Sequence, residues 1–163
     1  MKAAVAANES DRLAALQALE ILDTLPEQSF DDLTRLAASL CGTPIALVTL
    51  VDEHRQWFKA KVGCEAEAIP RDFALCAHAI LEPKAMLLVT DLTADPRFAD
   101  HPLVTGGPGA RFYAGAPLVT AAGHALGTLC VIDLVARTLS PEQRDSLMAL
   151  ADRKSTRLNS SHG

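Results

Sequence analysis

Polar Asn8-Glu9-Ser10-Asp11 is followed by Leu13, Leu16 and Leu19, an apolar residue every third position behind capping side chains. The spacing predicts an amphipathic helix that ends near Leu22. After the turn-like Asp23-Thr24-Leu25-Pro26, Ser29 and Asp32 form an S-x-x-D cap ahead of Phe30, Leu33, Leu36, Ala37 and Leu40, and Gly42 stands where this second helix must stop. The period then shortens. Residues 45–51 are a run rich in β-branched side chains, residues 52–55 a polar break and residues 56–62 a second run, which together predict a hairpin. Residues 63–72 read as irregular, residues 75–81 as a short helix stopped by Pro83, and residues 86–90 as a third strand.

Residues 91–109 are rich in Asp, Pro and Gly, a long excursion of the kind that carries binding groups because sheet residues reach poorly over a pocket. Two further strands, 112–120 and 125–133, are joined by Ala121-Ala122-Gly123-His124. Ser140-Pro141-Glu142-Gln143 then supplies an N-cap, a proline at the first helical position and Gln at N3, opening a helix through Leu147 and Leu150. Tight hairpins imply antiparallel pairing, so the expected class is α+β, an antiparallel sheet flanked by helices and not a doubly wound parallel sheet. The apolar periodicity fades after Asp152. The expected domain is 8–152, and residues 153–163 read as a non-native or disordered tail.

Composition narrows the function. With 163 residues, 49% hydrophobic and 21% charged, the chain fits one core. Its net charge of −5 and 15 scattered Lys and Arg offer no concentrated basic patch, so nucleic acid and membrane are not expected partners. No apolar run reaches the length of about 18 residues that a membrane span needs, and the chain reads as cytoplasmic. The four cysteines, Cys41, Cys64, Cys76 and Cys130, form no C-x-x-C pair, which suits a reducing compartment.

At this point the residues resemble the GAF family, in particular the sensory GAF domains of bacterial signalling proteins. The likeness is carried by Ile21-Leu22-Asp23-Thr24, Phe30-Asp31-Asp32-Leu33-Thr34, Cys41-Gly42-Thr43-Pro44-Ile45-Ala46 and Trp57-Phe58-Lys59. It continues in Leu75-Cys76-Ala77-His78-Ala79-Ile80, Asp95-Pro96-Arg97-Phe98, Arg111 through Leu118, and Gly127 through Asp133. The resemblance implies a GAF/PAS-like (profilin-like) fold with a central antiparallel sheet of five or six strands. It also implies helices from both termini on one face and a small-molecule pocket on the other. It further implies a last helix that leads into an output domain of the same native chain, commonly a histidine kinase, a diguanylate cyclase or a phosphodiesterase; a homodimer through the terminal helices is expected.

Seven residues are candidates for ligand contact. Arg111 and Tyr113 alternate with Phe112 along a strand, so a guanidinium and a phenol share one face; the alternative is that Arg111 pairs with a carboxylate while Tyr113 caps the core. Arg97, Phe98 and His101 lie in the long loop, where a guanidinium offers a rigid fork to an anion; alternatively Asp95 caps a turn, Phe98 anchors it and Arg97 is solvated. Cys76 and His78 sit two apart on a helix and point away from each other, so a shared metal is not expected. No catalytic residue and no cofactor is assigned; glycine-rich phosphate loops, H-E-x-x-H and G-x-S-x-G are lacking.

One GAF branch reduces free methionine sulfoxide with cysteines near this pocket, and Cys64 and Cys76 fall in a similar stretch. That branch needs a further cysteine before the fourth strand, and none occurs between Cys76 and Cys130. The Cys-His dipeptide of bilin attachment is also missing. The leading expectation is a sensory module that binds an unidentified small molecule, with the reductase and a ligand-free dimerisation module as alternatives.

Overall fold

The computed structural model describes residues 2–160, with side chains through Ser155. Helix α1 spans Glu9–Ala18 and α2 spans Gln28–Cys41. Strands β1 (Ile45–Val51), β2 (Arg55–Val62) and β3 (Ala68–Pro70) follow, then a 3-10 turn at Arg71–Phe73 and the short α3 (Cys76–Ala79). Strand β4 (Leu87–Val89), a 3-10 turn at Leu92–Ala94, α4 (Pro102–Thr105), β5 (Phe112–Val119), β6 (Ala125–Asp133) and α5 (Pro141–Ser160) complete the chain. The six strands form one antiparallel sheet in the order β3-β2-β1-β6-β5-β4.

The three central strands are buried almost throughout, because both faces of the sheet are covered. Strand alternation divides their side chains between two cores. Ala46, Val48 and Leu50 of β1 and Phe112, Ala114 and Ala116 of β5 join α1, α2 and α5 through Leu16, Ala37 and Leu147. Ile45 and Leu47, Tyr113, and Cys130 and Ile132 face the other way, toward α3 and the loops around Leu92, Phe98 and Val104.

Local signals account for most element ends. Gly42 closes α2 in the left-handed region at φ 66°. Ser140 and Gln143 form the reciprocal capping box of α5: the Gln143 N–H donates to Ser140 Oγ at 3.1 Å and the Ser140 N–H to Gln143 Oε1 at 2.8 Å. Three expectations need correction. The first helix stops at Ala18, four residues early, because Glu20 and Asp23 take positive φ and fold the chain back so that Leu19 and Ile21 still reach the core. Ser29 does not cap α2, which begins at Gln28; its Oγ instead accepts a hydrogen bond from Lys154 Nζ at 3.0 Å. The stretch read as irregular contains β3, too short for a visible alternation.

Helix α5 continues past 152. Lys154 and Ser155 are buried; the Lys154 ammonium lies 3.7 Å from the Phe30 ring centroid, and Ser155 Oγ accepts from the Val119 N–H at 2.9 Å. Residues 161–163 of the expected tail lie outside the described residues. Lys59, fully buried on β2 and 5.5 Å from the same ring centroid, holds the turn before α2 by donating to Thr24 Oγ1 and Leu25 O and pairing with Glu27.

Glu9 ties α1 to the sheet end. Its carboxylate pairs with Arg12, which is 1% exposed, and with Arg71, which also donates to Asp52 O. Burial works against its ionisation, but the hydrogen bonds and charges of Arg12 and Arg71 outweigh it and bring the carboxyl from 4.5 to about 2. A depressed carboxyl contributes stability that is complete above its unfolded value and is lost as pH falls from about 4.5 through about 2. Glu9→Gln is therefore expected to flatten this acid limb and, by leaving buried Arg12 uncompensated, to cost about 3 kcal/mol at neutral pH. Urea denaturation across the pH range measures both; an unchanged acid limb would show that Glu9 is not its source.

Candidate functional site

Between the α3 face of the sheet and the loops above it lies a cavity of about 320 Å³. Its floor is formed by Ile45 and Leu47 of β1, Gln56 and Phe58 of β2, and Tyr113 and Cys130 of the neighbouring strands. Leu75 and Cys76 of α3, Leu103 of α4, and Pro108 and Ala110 of the long loop close it from above, and residues 63–66 form one side. A larger groove of about 600 Å³ runs beside β2, but several of its charged groups are engaged by residues outside it, Lys59 by Glu27, Arg35 by Asp32 and Asp23 by Arg55. The predominantly apolar hollow with a few convergent polar groups is the better ligand site.

One group of polar side chains gathers around a single sulfur on the cavity wall. Thr128 Oγ1 donates to Cys76 Sγ at 3.0 Å and Tyr113 Oη donates at 3.1 Å, while Cys130 Sγ lies 3.8 Å away. Thr49 Oγ1 stands 3.1 Å from Thr128 Oγ1, its register partner across the β1–β6 ladder. Burial alone would push the Cys76 thiol up; hydrogen bonds from Cys130, Thr128, Thr49 and Tyr113 outweigh it and bring the thiol from 9.0 to about 7. The neighbours move the other way. Burial and the Cys76 charge push Tyr113 well up, and the hydrogen bond to Cys76 with burial does the same for Cys130. These hydrogen bonds favour a thiolate at Cys76 and the protonated forms of its neighbours.

Gly115 makes this arrangement possible. A Cβ there would sit 2.2 Å from Tyr113 Oη, so only a residue without a side chain lets the phenol lie along its own strand toward Cys76.

The family pattern of the GAF domain matches residues 25–158. The chain belongs to the GAF domain family. A Pseudomonas aeruginosa protein named as a cyclic di-GMP phosphodiesterase is 46% identical over 126 residues, which is 77% of this chain and 21% of that protein; the chain thus spans about a fifth of that relative's length. Among solved structures, the GAF domain of an Acinetobacter phosphoenolpyruvate-protein phosphotransferase superposes with a TM-score of 0.67 at 16% identity, over 93% of this chain and 95% of that one. A type II free methionine-R-sulfoxide reductase from Thermoplasma acidophilum gives 0.66 at 14% identity, over 82% and 92%. At these identities the likeness is one of fold.

Of the seven candidates read from the sequence, the GAF fold brings Cys76 and Tyr113 to the cavity wall and places the other five outside it. Arg111 precedes β5 and donates to Val104 O and Ala110 O, fastening the long loop rather than lining the cavity beside Tyr113. Arg97 forms a two-point pair with Asp95 and covers the Phe98 ring, whose edge meets His78. His101 caps α4: its Nδ1 accepts from the Leu103 N–H at 3.1 Å and its Nε2–H donates to Phe73 O at 2.5 Å, clasping α4 to the turn after β3. Burial lowers its pKa and favours the neutral ring that this double role requires.

Gln56 and Cys130 of the wall, and Thr49 and Thr128 beside Cys76, were not picked out beforehand; Cys64 was raised only with the reductase alternative. A hydroxyl in each of two otherwise apolar central strands was the available signal, since a buried polar group demands a partner.

Tyr113→Phe removes one donor to the thiolate, and Gly115→Ala displaces the same phenol. Both are expected to raise the Cys76 midpoint from about 7 toward 9.0, read from thiolate ultraviolet absorbance against a Cys76→Ala blank. A midpoint unmoved in both variants would remove Tyr113 from the network.

Proposed function

We propose that this GAF domain is the sensory input module of a bacterial signalling protein: a small molecule occupies the cavity, and the domain relays its presence to an output domain in the same native chain. The observation that carries this reading is that β5 serves both sides of the sheet. Tyr113 of β5 lines the cavity, while Phe112, Ala114 and Leu118 of the same strand share a core with Leu147 and Ala151 of α5, and the Val119 N–H bonds Ser155. A ligand that favours one position of Tyr113 thereby favours one packing of α5, and differential affinity for two packings is all that a population shift requires. The name of the Pseudomonas relative points to cyclic di-GMP turnover as the output, and α1 with α5 supplies the surface for a homodimer.

Hydrogen exchange of the domain with and without a small-molecule fraction of cell extract tests the relay. Slower exchange in α5 and β5 is expected. Leu103→Trp, which fills the cavity from α4, should abolish the response. No change in α5, or a response that survives Leu103→Trp, would overturn the proposal; a persistent dimer with no copurifying molecule would favour a ligand-free dimerisation module.

A second reading rests on the 3.8 Å separation of Cys76 and Cys130. Cys130 on β6 places a second thiol beside Cys76, although the cysteine that branch has in the loop before the fourth strand is absent from this sequence. In thiol-dependent reduction of free methionine sulfoxide, the Cys76 thiolate attacks sulfur, the sulfoxide oxygen leaves as water, and Cys130 closes a disulfide as the substrate becomes a sulfide. An external dithiol then returns both cysteines to thiols. Sulfoxide consumption with excess dithiothreitol, abolished in Cys76→Ser, would support it; consumption no faster than without protein excludes it.

A further inference from the structure

Gln56 is 3% exposed and forms part of the cavity floor, yet its Oε1 is buried without a hydrogen-bond partner among the described residues. It is the one buried side-chain oxygen or nitrogen there in that condition. The environment explains the isolation: Gln56 opposes Ile69 in the β2–β3 register, and Phe58 is the next residue on the same face. A buried acceptor without a donor is costly, so a native interior that keeps one is prepared for a donor from elsewhere.

The charges around the cavity limit what that donor can belong to. Among the described residues no Lys or Arg lies on its wall, and the one carboxylate there, Glu65, is exposed at the side. An anion entering here would leave water without meeting a cation. The remaining wall is Ile, Leu, Phe, Ala, Gly and Pro with the cysteines and the phenol already described.

From these observations we infer that the cavity takes a compact, neutral, largely apolar molecule with one N–H or O–H group, which donates to Gln56 Oε1. The inference rests on the sensory reading above and names the ligand class for it. Gln56 is then the specificity residue, and a cyclic dinucleotide, with two phosphodiester charges, is not the signal this cavity reads.

Two matched pairs of probes, indole with 1-methylindole and phenol with anisole, separate the donor from the apolar body. Calorimetric titration of the chain should show the donor-bearing member of each pair binding about tenfold more tightly. Gln56→Leu, close in volume and without the acceptor, should erase that difference while leaving the methylated probes bound, with a melting temperature equal to or above the parent's. Equal affinities within both pairs, a difference that survives Gln56→Leu, or no binding of any of the four at millimolar concentration would each overturn the inference. Should Gln56→Leu fail to fold, the parent's pairs decide. Cyclic di-GMP is titrated in parallel: if it binds, is lost in Leu103→Trp and the neutral probes do not bind, the sensory reading stands and the inference falls. If nothing binds and extract leaves hydrogen exchange unchanged, both fall.

Discussion

The central strands β1, β6 and β5 are buried on both faces, and the rest of the fold follows from the need to cover them. Antiparallel sheets commonly leave one face to water. Here Ala46, Val48 and Leu50 require a partner layer on one side while Ile45, Leu47 and Val51 require another on the opposite side. Three helices meet the first demand and pack closely. The second is met by α3, α4 and two 3-10 turns, elements of three or four residues that cannot lay a continuous apolar stripe against the sheet. The cavity is what such a cover leaves unfilled.

Its polar lining obeys the same constraint. Hydroxyls placed in the middle of a buried sheet must bond something, and Thr49 and Thr128 face each other across the ladder with Cys76 Sγ above them. Tyr113 turns its hydroxyl to the same sulfur because Gly115 leaves its ring room. Four donors around one sulfur make a thiolate there easier to hold than burial would otherwise allow, and this cluster lies where a bound molecule would touch it. Gln56 is the contrasting case, an acceptor that the protein itself leaves unmatched.

Communication between the two layers needs no separate pathway. A strand alternates its side chains, so any shift of β5 that moves Tyr113 also moves Phe112 and Ala114 against α5. Lys154 and Ser155 join the last described turns of α5 to Ser29, Phe30 and Val119, which makes the helix a part of the domain beyond the point where its apolar rhythm fades.

Reading the chain alone was enough for the α+β class, five of the six strands and the reciprocal cap of α5, because periods, caps and turns are local and are written in neighbouring residues, while the GAF family came from the resemblance of whole stretches. It was not enough for β3, whose three residues show no alternation, or for the partners of the charged candidates. Arg97 and Arg111 had the chemistry of ligand contacts but are satisfied within their own loop by Asp95 and by the carbonyls of Val104 and Ala110. Cys130 and Gln56, 66 and eight residues from Cys64 respectively, meet it at one cavity through strand pairing and closure of the chain over the sheet. Which side chains face one another across a space depends on register and packing between distant segments, and that information exists only once the strands have paired.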